Sequence, residues 1–172
     1  MFRQTTTLKE DHRGIAAVEF AITAPIAILL LINVYDISSY ISQRMTVQTA
    51  AQAAVQAIWR TCDTAHVPAT TLCPSWNGAA TTAIQSTAFG NRITLAGFTE
   101  GYYCVNLFNA LQYMGDVSNR PFDCTLAGSP LLRAGDYIQV QAQLSYAPLF
   151  AASYASTFFA SPITASARMR LQ

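Results

Sequence analysis

The sequence predicts an α+β protein in which one long N-terminal helix packs on a small antiparallel β-sheet stabilised by disulfides. Three observations carry this reading. An apolar run from Ile15 to Val34 continues into an amphipathic stretch with no glycine or proline between Tyr35 and Arg60. The C-terminal part alternates apolar and polar residues at every second position. All four cysteines lie C-terminal to the apolar run.

The first element is set by length and solvent. IAAVEFAITAPIAILLLINV is long enough as a helix, at about 1.5 Å per residue, to cross a hydrocarbon layer of about 30 Å. It exceeds the apolar core of a secretory signal peptide, and no small-residue cleavage site follows it. Arg3, Lys9 and Arg13 precede the run and Asp36 follows it, which favours an inside N-terminus and an outside C-terminal domain. Two residues interrupt the run. Pro25 removes one helical hydrogen bond, either as a hinge or as a proline tolerated in a membrane helix. Glu19 places a carboxylate in the apolar segment, where it is either functional, close to the headgroups, or protonated.

Beyond Asp36, Ile37, Tyr40, Ile41, Met45, Val47, Ala51, Ala54, Val55, Ile58 and Trp59 recur mostly at spacings of three and four. Gln43, Gln48, Gln52 and Gln56 fall between them. This predicts an amphipathic continuation of the same helix lying on a sheet, with a coiled coil as the alternative. Residues 15–36 are therefore read as the membrane-spanning helix, 37–60 as its amphipathic continuation, and 61–172 as a β-rich extracytoplasmic domain.

Within that domain, Cys62 to Ser86 is read as a loop-rich region with Pro68, Pro74 and Gly78. Cys62, Cys73, Cys104 and Cys124 fit two disulfides in an oxidising compartment. Short loops close most easily, which favours Cys62–Cys73 and Cys104–Cys124. Four unpaired buried thiols are the alternative. Strands are expected over Asn91–Phe98 and Gly101–Leu107, with a short helix over Leu107–Met114. The clearest strands are Tyr137–Tyr146 and the run from Ile163 to Leu171, which are expected to pair. The uncharged loop Ala147–Ser161 between them carries Phe150, Tyr154, Phe158 and Phe159, either for contact with a partner or folded over the core.

Composition excludes several functions. Hydrophobic residues make up 52% and charged residues 11% of the 172, against about 25% charged in ordinary soluble domains. A net charge of +1 gives no electrostatic hold on nucleic acid. No phosphate-binding, nucleophile-elbow or metalloprotease pattern appears, and Asp63, Glu100, Asp116, Asp123 and Asp136 are scattered singly. His66 lies between two cysteines, but the spacing matches no zinc motif. No catalytic residue, cofactor or metal is expected.

The stretch from Arg13 through Gly14, Ile15, Glu19 and Phe20 to Ala24-Pro25 and Leu29–Leu31 closely resembles the N-terminus of TadE-like pseudopilins. These are minor pilin-like proteins of the tight-adherence (Tad, or Flp) pilus. The resemblance covers about residues 12–36 and is looser beyond. It implies a pilin-like fold and a prepilin leader, 1–14, removed by a prepilin peptidase between Gly14 and Ile15. Pilins generally begin with phenylalanine or methionine, and Ile15 departs from that. The resemblance also implies that Glu19 neutralises the terminal amine of a neighbouring subunit and so sets the register between subunits. Its partners would be other pilins and minor pilins, an inner-membrane assembly platform and membrane lipid. Two further readings are an unprocessed membrane-anchored binding protein and a type II secretion pseudopilin.

Overall fold

The computed structural model describes residues 12–62, 67–119, 121, 123–149, 159 and 161–171, with side chains from Ala16 onward. Helix α1 runs from His12 to Thr61, unbroken through Pro25. A single turn, α2 (Ala69–Leu72), and helix α3 (Trp76–Gln85) follow. Four strands complete the fold: β1 (Ile93–Val105), β2 (Leu111–Asp116), β3 (Gly135–Leu144) and β4 (Ile163–Arg170). They form one antiparallel sheet in the order β2-β1-β3-β4.

The described residues fall into two compact units. One holds α1 up to Ser39, with Pro148, Leu149 and Phe159; the other holds Tyr40–Ala147 and the described residues from Ser161 on. In the second unit, α1 buries Val47, Ala50, Ala51, Ala54, Val55 and Ile58. That spacing of three and one is a single helical stripe, and its alanines let a helix approach a sheet closely. The stripe is narrower than the sequence spacing suggests. Ile41, Met45 and Trp59 are exposed, because only one face of a helix meets the sheet. The facing layer is Ile138, Val140, Ala142 and Leu144 of β3 with Ile93 and Ile163, all buried. Tyr40 meets Tyr146 edge-on, ring centroids 5.1 Å apart.

Both disulfides are present, Cys62–Cys73 and Cys104–Cys124, with Cα separations of 5.7 Å each. Three local expectations need correction. The loop-rich segment contains α3, whose apolar signal is thin: Ala80 and Ile84 are buried one turn apart, and Trp76 stacks on Phe98 of β1 at 4.1 Å. This packing outweighs the cost of Gly78, about 1 kcal/mol in a helix. The two strands expected over 91–107 are one, because Gly97 and Gly101 continue β1 rather than end it. A Cβ on Gly101 would stand 2.7 Å from the Tyr113 ring, so glycine there admits a neighbour.

The helix expected over Leu107–Met114 is instead a turn leading into β2. Asn106 Oδ1 accepts the N–H groups of Phe108, at 3.0 Å, and Ala110, at 2.9 Å. Asn109 adopts a left-handed φ of 62°. Both features draw the backbone out of a helical path and reverse the chain.

Candidate functional site

The N-terminal, apolar half of α1 exposes its apolar side chains on all sides. Phe20, Ile22, Ile26, Leu29, Leu30, Leu31 and Val34 are all exposed, and the helix is long and apolar enough to cross a membrane. Two of its neutral polar side chains bond to carbonyls within the helix, as an apolar setting favours. Thr23 Oγ1 donates to the Glu19 carbonyl at 2.9 Å. Asn33 Nδ2 donates to the Leu29 carbonyl at 2.8 Å.

Glu19 differs. Its side chain is exposed among these apolar residues. Among the described residues no cation or donor lies against its carboxylate. The Gly14–Ile15 peptide lies in the first turns of the same helix, where ends fray most readily. Pro25 leaves the Ala21 carbonyl without its backbone donor. Asp36, at the far end of the run, is fully buried.

The loop before β4 is described only at its ends. Leu149 borders an apolar depression of about 560 Å³ with Leu31, Ile32 and Tyr35. Phe159 is half-buried. Phe150, Tyr154 and Phe158 lie outside the described residues, as does His66.

In the second unit, called the head below, each disulfide is flanked by a carboxylate acting as a cap. Glu100 of β1 accepts the N–H of Ala69 through Oε1, and the Thr70 N–H (2.7 Å) and Thr70 Oγ1 (2.6 Å) through Oε2. It thereby ties the start of α2, inside the first disulfide loop, to the sheet. Asp123 accepts from Thr125 Oγ1 at 2.6 Å and from the Thr125 N–H at 3.0 Å, beside the second disulfide. The bond from the Thr125 hydroxyl, then that from its N–H, holds the Asp123 carboxyl below its ordinary value of 3.8. Sequence reasoning treats both acids as unassigned single carboxylates. Nothing local marks Glu100, whose partners lie 30 and 31 residues away.

A third feature has no sequence signature. On the face of the sheet opposite the Ile138–Leu144 layer, Tyr103 meets Tyr113 at 5.4 Å and Tyr137 at 5.6 Å, both edge-on. The Arg168 guanidinium lies 5.6 Å from the Tyr103 ring centre, and its Nε donates to Gln139 Oε1.

Among known proteins, residues 14–56 match the family model of the TadE-like protein. No curated protein and no solved structure gives a significant match. The matched segment begins at Gly14, includes Glu19 and Pro25, and extends into the half of α1 that packs on the sheet.

Proposed function

With a TadE-like segment over residues 14–56 as the premise, we propose that this chain is a minor pilin, or pseudopilin, of a Tad-type pilus. It is a structural subunit and not an enzyme. A prepilin peptidase cuts between Gly14 and Ile15, and the apolar half of α1 then anchors the subunit in the inner membrane as a single pass. The disulfide-bonded head lies on the periplasmic side, where an oxidising environment maintains both bridges. Other pilins, minor pilins and the inner-membrane assembly platform are its partners, and pilus assembly, adhesion or secretion is the outcome.

The single observation that carries this reading is the carboxylate of Glu19, exposed on an otherwise apolar helix five positions past Gly14. A charge in hydrocarbon costs on the order of 2–3 kcal/mol or more. A terminal amine freed at Ile15 of an adjacent subunit answers that cost. Only the correct axial offset pairs the two charges, so a misregistered subunit buries a lone carboxylate.

Mass spectrometry of the mature N-terminus, in cells with and without the peptidase, tests the cut. The mature chain is expected to begin at Ile15 only when the enzyme is present. A chain that keeps its leader in both strains belongs to the alternative reading, an unprocessed membrane-anchored binding protein. Glu19→Ala is expected to leave cleavage and membrane insertion intact while abolishing co-purification with other pilus components. Undiminished co-purification of that variant removes the register role.

A further inference from the structure

We infer that the outer face of the sheet is a binding surface for an acidic polysaccharide. This does not rest on leader processing or on assembly, since the unprocessed chain displays the same face.

The inner face is covered: α1 and α3 pack over Ile138, Val140 and Phe98. Among the described residues no element packs on the outer one. β2 and β1 supply Tyr113 and Tyr103, and Tyr137 lies next to them on β3. Tyr113 is 56% exposed, with one ring edge lying across Gly101, so an aromatic surface is held open to solvent. Edge-on contacts with Tyr103 fix these rings and lower the entropy that a ligand must overcome on binding. A row of glutamines on β3 (Gln139, Gln141, Gln143) runs along the same face and supplies amide donors and acceptors of the kind that sugar hydroxyls use.

Charge selects an anionic occupant. Among the described residues Arg168 bonds only through Nε, to Gln139, and its guanidinium lies over the Tyr103 ring. Its two terminal amino groups are left in the fork geometry that matches a carboxylate or sulfate. Arg170 follows on the same strand, packed beside Gly135. Arg44 of α1 lines a polar groove with Gln48, Thr164 and Ser166 along the β4 edge. Glu100 and Asp136 belong to the opposite face, as partners of Ile138 and Tyr102. Among the described residues Asp116 is the one carboxylate paired into the outer face. It lies on β2, three strands from Arg168 or roughly 14 Å, and its Oδ1 accepts the Val117 N–H. The surface is therefore aromatic at one edge and cationic at the other, which suits a polymer of uronic or sulfated sugars. Sugar faces would stack on tyrosine while acid groups meet Arg168.

The experiment uses the full-length chain in detergent micelles, titrated with polygalacturonate, with neutral dextran and with polyglutamate. Binding is expected for polygalacturonate alone and to weaken with added salt. Arg168→Gln is expected to weaken it about tenfold or more, and Tyr113→Ala several-fold, with the near-ultraviolet circular dichroism of the head unchanged. Should Arg168→Gln fail to fold, Arg168→Lys retains the charge without the planar fork and is expected to bind measurably more weakly than the parent. Equal binding of dextran overturns the role of charge, and equal binding of polyglutamate overturns the role of the sugar ring. Unaltered affinity in folded Arg168 variants overturns the assignment of the surface.

Discussion

Glu100 shows how much one side chain can organise at a distance. Its two oxygens collect two backbone N–H groups and a hydroxyl at the start of α2. Charge-assisted bonds of this kind contribute about 1.5–3 kcal/mol each in favourable settings, and less where solvent reaches them. Glu100→Gln keeps the shape but loses the charge and one acceptor. It is expected to lower stability by about 1–2 kcal/mol, read from urea unfolding of the head, while both disulfides still form. An unchanged unfolding midpoint would mean that solvent already replaces these bonds. Among single residues, Glu19 and the cysteines are legible in sequence because each is chemically out of place or distinctive. Glu100 is not, since an isolated glutamate in a strand has the same appearance whatever it touches.

At the scale of elements, the β1–β2 pair depends on a glycine that accommodates an aromatic ring. A Cβ at Gly101 would stand 2.7 Å from Tyr113 Cε2 and 3.0 Å from the Gly115 carbonyl. Gly101→Ala is therefore expected to destabilise the head by about 1–3 kcal/mol through overpacking. Adding Tyr113→Ala should recover part of that loss, leaving the Gly115 contact. A double-mutant cycle by urea unfolding measures the coupling, and additive effects would rule out the ring as the obstacle. This pair also explains why β1 reads as two strands in sequence: glycines are ordinary strand breakers until a partner across the ladder requires the space. In α1, by contrast, the amphipathic pattern reports the right element with too wide a stripe. Spacing alone does not reveal how much of a helix the sheet will cover.

For the molecule as a whole, stability of the head rests on a modest core plus two staples. The buried set is dominated by alanine, valine and isoleucine, and it includes the four cysteines. The bridges span 11 and 20 residues. Loops of these sizes each contribute about 3 kcal/mol when closed. Replacing Cys62 and Cys73 together by serine is expected to remove about that much, exposing the loop before α3 to proteolysis while the β-sheet signal in circular dichroism persists. Proteolysis unchanged from the parent would show that Glu100 and the Trp76–Phe98 stack hold the loop without the bridge.

The sequence by itself determined the long apolar helix, its amphipathic continuation, the last strand pair and the favoured cysteine pairing. Each follows from a property carried along the chain: contiguous apolar length, a period of three to four or of two, or a short loop to close. Tertiary structure alone decided α3, the turn at Asn106–Ala110, the single long β1, the Glu100 cap and the tyrosine–arginine face. Those depend on which distant groups come together, and a pairwise contact between separate elements leaves no periodic trace in the residues that make it.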